Sequence, residues 1–179
     1  MKKIVQARLR FLDEAGATTI LTRLYARALG GGRTTEAVPR NYGQSTSMIA
    51  TLSVSGVEAP MLIEGSVDTL VFNAYCQEVL QPTLKRGDII VLDNLGAHRA
   101  SRIEEIAASC GAQVLWLPPY SPDFSPIELM WSKVKAYLKK VKARTQIELE
   151  QAIAEALKTI TVSDCRNWFR HCGYQVTGN

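Results

Sequence analysis

Asp88-Ile89-Ile90-Val91-Leu92-Asp93-Asn94 is the stretch on which the fold turns. Its four central residues are all aliphatic, and three of them are β-branched. A run with no polar side predicts a strand covered on both faces, as in the middle of a parallel sheet. The segments around it agree. Upstream, Asp68 to Leu84 predicts a helix with Leu70, Val71, Ala74, Tyr75 and Val79 on one side, Asp68 as N-cap and Lys85-Arg86-Gly87 as its end. Downstream, a helix over 98–109 ends at Gly111, and Val114-Leu115-Trp116-Leu117 predicts a second buried strand. Two parallel strands joined by a helix make a right-handed crossover.

Further out, residues 7–13, Thr19 to Ala26, 46–54 and Met61-Leu62-Ile63 predict strands. Pro118-Pro119-Tyr120-Ser121-Pro122 is a rigid loop, because proline supplies no ladder donor and fixes φ. A long helix follows from Ser125 to about Lys142, then two more over 145–159 and 162–171. Strands come first, then helix and strand alternate. The expected class is α/β, a mixed sheet flanked by helices.

The chain has 179 residues, of which 46% are hydrophobic, so one domain with a real core is expected and wholesale disorder is excluded. No run of 18 or more apolar residues occurs, and Met1-Lys2-Lys3 leads into no signal core, so a cytoplasmic protein with no membrane partner is expected. The net charge of +4 hides a pattern: 1–40 carry +5, 41–124 carry −5, 125–144 carry +5 and 145–179 carry −1. Two basic blocks around an acidic middle invite a nucleic-acid reading. Cys76, Cys110, Cys165 and Cys172 form no C-x-x-C pair and read as buried reduced thiols. Cys165, Cys172 and His171 fall short of a zinc ligand set.

Three acidic residues stand out. Asp93 ends the most apolar strand, where open α/β sheets place ligands and where a hard cation could be held. Asp93-Asn94 reads equally well as a strand-ending turn. Asp13 also ends an expected strand, with Glu14 and Gly16 completing a turn. If the two strands are neighbours the aspartates converge, and two close carboxylates need a cation or a proton between them. Glu128 stands at the third position of a helix begun by Ser125-Pro126-Ile127, which predicts a capping box. On that helix Ile127, Met130, Trp131, Val134, Tyr137, Leu138 and Val141 make one apolar stripe. Glu128 lies at its edge on the flank of Lys135, Lys139 and Lys142, a face suited to phosphates or simply to solvent. His98 follows Asp93 by five residues and could orient a water, a phosphate or a carboxylate, or merely pack.

Val91-Leu92-Asp93-Asn94-Leu95-Gly96-Ala97-His98 resembles a signature of DDE transposases, as does Leu117-Pro118-Pro119-Tyr120-Ser121-Pro122-Asp123-Phe124-Ser125-Pro126-Ile127-Glu128 followed by Trp131, Ser132 and Lys135. The 34 residues between Asp93 and Glu128 are the spacing of the mariner superfamily in its bacterial insertion-sequence branch. Phe11-Leu12-Asp13-Glu14 is similar to the segment bearing the first aspartate, and Trp168-Phe169 through Gly173-Tyr174 to the C-terminal end. Ser125 stands where the family often has Asn, and Ala26-Arg27-Ala28-Leu29-Gly30-Gly31 departs from a loop that usually carries proline and a second arginine.

The resemblance implies a ribonuclease H-like fold with a mixed five-stranded sheet flanked by helices, as one catalytic domain over 1–179 without the family's N-terminal helix-turn-helix recognition domain. It implies Asp13, Asp93 and Glu128 as catalytic residues holding two Mg2+ or Mn2+ ions for in-line phosphoryl transfer. Asn94 and His98 are candidate auxiliary residues, and Lys135, Lys139 and Lys142 on the helix face, with Arg27 and Arg33, are the candidate DNA contacts. The implied partners are double-stranded DNA, as transposon ends and target, a separate helix-turn-helix subunit, and a second copy in a dimer active on DNA. The implied location is the bacterial cytoplasm, nucleoid-associated when DNA is bound. Two other functions fit the same residues: an inactive fragment that binds DNA or full-length transposase, and a structure-selective nuclease of the same fold.

Overall fold

The computed structural model describes residues 8–23, 25, 30, 32, 34, 35, 37, 38, 45–94, 98, 102–119 and 121–176. Strands β1 (Leu9–Thr18), β2 (Ser45–Ser53) and β3 (Gly56–Glu64) form an antiparallel meander. Strands β4 (Ile89–Leu92) and β5 (Gln113–Trp116) then add in parallel on the far side of β1, giving the order β3-β2-β1-β4-β5. The mixed five-stranded sheet is the expected one, and β4 sits inside it as its apolar run requires.

Five helices cover the sheet among the described residues: α1 (Thr69–Tyr75), α2 (Ile103–Ser109), α3 (Pro126–Val141), α4 (Gln146–Lys158) and α5 (Val162–His171). Strand alternation sorts the core into two layers. Phe11, Ala15 and Val91 face Met130, Trp131, Val134, Ile153 and Phe169 of α3, α4 and α5. Leu12, Ile49, Ile90 and Leu92 face Phe72, Tyr75, Ile103 and Ala107 of α1 and α2. Among the described residues no helix is long and apolar enough to cross a membrane.

Several expectations are corrected. β1 does not stop at Asp13 but runs on to Thr18, because β2 pairs with it without a break from Phe11↔Leu52 to Thr18↔Ser45. The expected strand from Thr19 to Ala26 is not formed in the described part of that segment: Thr19 and Ile20 turn, and Arg144 Nη1 donates to the carbonyls of Thr19 at 2.8 Å and Leu21 at 3.4 Å, taking acceptors a ladder would need. Residues 24 and 26 lie outside the described set. β5 is not a buried strand. It is a sheet edge, and Leu115 is 43% exposed there.

The Asp68–Leu84 helix is present in altered winding: α1 widens into a π-helical turn at Cys76–Leu80 and tightens into a 3-10 turn at Gln81–Thr83, where Pro82 lacks the N–H to continue. Its buried side is Phe72, Tyr75, Cys76 and Leu80, while Leu70 is 78% exposed. Gly87 therefore caps no helix. It turns the chain into β4 at φ +87°, with the Arg8 guanidinium filling the space a Cβ would take. The four thiols are free, with Cys76, Cys165 and Cys172 buried and Cys110 half-buried.

Candidate active site

β1 and β4 run parallel in the register Leu9↔Ile89, Arg10↔Ile90, Phe11↔Val91. Carried two residues further, that register sets Asp13 level with Asp93, one residue past the end of β4. Asp13 alternates with Phe11 and Ala15, so it faces the α3 side of the sheet. α3 begins at that same end, with Glu128 in its first turn. The three carboxylates, with Asn94, line one cleft of about 450 Å³. Pro118, Pro119 and Pro122 also line it, as a wall of backbone with little freedom to move.

Asp13 shows the strain of this grouping. Burial is the main cause, partly countered by a backbone hydrogen bond at Glu14 and reinforced by the charges of Glu128, Asp93 and Glu14. Together they push its carboxyl up to about 7. A carboxylate among carboxylates is short of a cation, and all the acidic donors here are hard oxygens, the chemistry of Mg2+ or Mn2+. The donor set thus fits a divalent ion. The side chains line the cleft without closing on one point: among the described residues no three His, Cys, Asp or Glu groups are gathered tightly enough to hold a metal.

Glu128 does not cap α3. Ser125 is the N-cap residue, but its side chain makes no capping hydrogen bond; only its backbone carbonyl takes the Glu128 N–H, at 3.2 Å. Glu128 is exposed toward the cleft instead, where the positive end of the helix favours its charge. True capping boxes occur at Thr145 with Glu148 and at Thr161 with Asp164.

His98 is fully buried. Its Nδ1 stands 2.8 Å from Asp93 Oδ1 and its Nε2 3.0 Å from Glu14 Oε2. Burial opposes charge on the ring, but the hydrogen bonds to Asp93 and Glu14, joined by their charges, outweigh it and push His98 up to about 9. Glu14 is a residue that sequence reasoning assigns to a turn. Its one signal is adjacency to Asp13 in a strand, which puts the two side chains on opposite faces.

Lys135, Lys139 and Lys142 follow Glu128 along α3, Lys142 as its left-handed C-cap at φ +58°. On the other flank Lys133 is committed to structure: it donates to Asp164 at 2.7 Å and to the Thr159 carbonyl at 3.0 Å. Arg27 and Arg33 lie outside the described residues. A missed contributor is Tyr174, whose hydroxyl donates to the Phe124 carbonyl at 2.8 Å and ties the cleft loop to the C-terminal segment.

Sheet order, covering helices and an acidic cleft where the middle of β1 meets the end of β4 define a ribonuclease H-like domain. Residues 8–150 match the model of the DDE superfamily endonucleases, and the chain belongs to that family. Its fold is that of a transposase catalytic domain. A pre-cleavage Mos1 transpososome superposes with a TM-score of 0.75 at 17% identity, covering 96% of this chain and 53% of that one. The Mos1 mariner paired end complex with Mn gives 0.68 at 18% identity, covering 93% and 52%. The catalytic domain of Mos1 mariner transposase gives 0.67 at 14% identity, covering 96% and 78%. The chain spans about half the length of the transposases in the first two complexes. No curated protein matches the sequence.

Proposed function

We propose that the chain is the catalytic domain of a DNA transposase of the mariner superfamily, from its bacterial insertion-sequence branch. It cuts DNA at the ends of an insertion element and joins the freed 3′ ends to target DNA. The observation that carries this reading is the meeting of Asp13, Asp93 and Glu128, from β1, the end of β4 and the start of α3, in one cleft of a DDE-family domain.

In this reading Asp13, Asp93 and Glu128 hold two divalent cations, Mg2+ or Mn2+. The cations, when bound, supply the positive charge that activates an attacking hydroxyl and stabilises the leaving 3′ oxygen. The chain's own residues do the rest. Asp13, whose carboxyl is pushed up to about 7 by burial, would ligate a cation in its ionised form. Asn94 offers the cleft an amide for a phosphate oxygen or a ligand water. The proline wall limits how far a DNA strand can shift across the carboxylates. Lys135, Lys139 and Lys142 lead the duplex backbone away from the cleft along α3, and Arg27 and Arg33 add phosphate contacts.

The reading includes a dimer acting on two DNA ends, in keeping with the paired end complex solved for Mos1 mariner. Choice of those ends belongs to a helix-turn-helix module outside the sheet domain, on the same or a separate polypeptide. The test is nicking of terminal-repeat DNA in Mg2+, supplied with that module. Wild-type protein should nick and Asp93→Asn should lose at least about 100-fold in rate, the scale of removing one transition-state-stabilising group. Equal rates would overturn the assigned chemistry. Cleavage of branched DNA with no preference for repeat ends would favour a structure-selective nuclease.

A further inference from the structure

The ladder between β1 and β4 ends at Phe11↔Val91, two residues before Asp93. A side chain takes hold of its carboxylate. His98 Nδ1 takes Oδ1 at 2.8 Å, while the other ring nitrogen is held at 3.0 Å by Glu14 Oε2. The face of the imidazole lies on Phe72, with ring centres 4.4 Å apart and planes at 35°, so the ring plane is set as well. Glu14 directly follows Asp13, and β1 turns the two side chains to opposite faces. One dipeptide thus gives a carboxylate to the cleft and a strut behind it.

We infer that Glu14 and His98 are positioning residues for the acidic site: Glu14 orients the imidazole, and the imidazole orients Asp93. The inference rests on the proposed metal-binding role of Asp93. A purely structural role accounts for the arrangement poorly. A polar ring between two carboxylates at full burial carries a desolvation cost that an apolar residue packed on Phe72 would avoid. What the apolar residue could not do is hold a carboxylate at the end of a strand. Partners behind metal ligands act in this way, and their loss weakens metal binding about 10- to 100-fold.

The test is Mn2+ titration of the full chain, following free Mn2+ by electron paramagnetic resonance, with melting temperatures recorded alongside. His98→Ala should bind Mn2+ about 10- to 100-fold more weakly than wild type. His98→Asn keeps a donor near the Nδ1 position and should recover most of the affinity. His98→Gln places its donor near the Nε2 position, toward Glu14, and should not. Glu14→Gln should fall between wild type and His98→Ala. If His98→Ala fails to fold, the comparison of Asn with Gln decides, since both are amides of similar bulk. Equal Mn2+ affinity in those two, or wild-type affinity in His98→Ala, overturns the positioning role. Asp93→Asn is the control: if it also binds Mn2+ like wild type, the acidic-site reading itself has failed, a different result from loss of the strut alone.

Discussion

Asp13 carries the conflict between stability and chemistry in this molecule. Folding places its carboxyl where ionisation is opposed by burial and by three neighbouring carboxylates, so its affinity for a proton rises from an ordinary 3.8 to about 7. A group whose folded value is raised is no burden while protonated in both states. Its cost therefore appears as pH climbs from about 4 and is complete above about 7. Asp13→Asn should then melt like wild type near pH 4 and higher than wild type at pH 8 in metal-free buffer. The gain should be about 1–3 kcal/mol, the scale of an uncompensated buried polar group. Added Mg2+ should shrink that gap by stabilising only the wild type. A melting difference independent of pH would show that Asp13 is not held under this strain. At this scale the gathering of the three acidic residues in one cleft is legible through the family resemblance of the segments that carry them. The capping reading of Glu128 fails, because Ser125 presents its carbonyl and not its hydroxyl to the first turn.

α3 shows how one helix divides its charges. Lys133 is spent on packing: it binds Asp164 in the first turn of α5 and the Thr159 carbonyl just past the end of α4. Lys135 and Lys139 sit on the flank that Glu128 begins. Replacing both with alanine should lower the slope of log affinity against log salt for duplex DNA by about 2, near 0.9 for each phosphate that is no longer neutralised. Lys140→Ala, on the opposite flank, should leave the slope nearly unchanged. Equal slopes in all variants would remove this face from the DNA path. Asp164 makes the structural flank testable as well. The Lys133 hydrogen bond, with those of the Thr161 backbone and side chain, holds its carboxyl down at about 2. A lowered value contributes stability that is full above about 4 and lost as pH falls toward about 2. Asp164→Asn should cost about 1 kcal/mol at pH 7, the usual worth of a cap, and its deficit should fade at pH 2 in chemical denaturation. Elements with a one-sided apolar pattern or an unbroken apolar run, α3 and β4 above all, are legible. β1 reads too short because Asp13 and Gly16 look like a turn until β2, some thirty residues on, supplies the paired strand. β5 reads as buried because a short apolar run looks the same at a sheet centre and at its edge.

The two core layers follow from alternation in β1, where Phe11 serves one and Leu12 the other, so the layered architecture is legible once the strands are placed. The ties that close the cleft are not, because they join residues far apart in sequence. Tyr174 is the clearest case. Its ring packs edge-on against Phe11 at 5.3 Å and lies 5.7 Å from Phe169, while its hydroxyl donates to Phe124, in the loop that leads into α3. Burial, aided by Cys172, pushes that hydroxyl up to about 12, so it stays a donor at any working pH. The C-terminal segment thereby holds the loop from which Glu128 departs. Tyr174→Phe keeps the ring cluster and deletes one hydrogen bond, so it should cost only about 0.5–1.5 kcal/mol in stability. Its effect on nicking should be larger than on stability, a fall in rate at saturating DNA with little change in DNA affinity, because the loop leads to Glu128, the proposed catalytic carboxylate, and not to the lysine face. Tyr174→Ala should lose the cluster too and cost about 2 kcal/mol or more. Melting curves and single-turnover nicking of the two variants separate these effects. A Phe variant with wild-type turnover would mean that the proline wall holds its shape without the C-terminal tie.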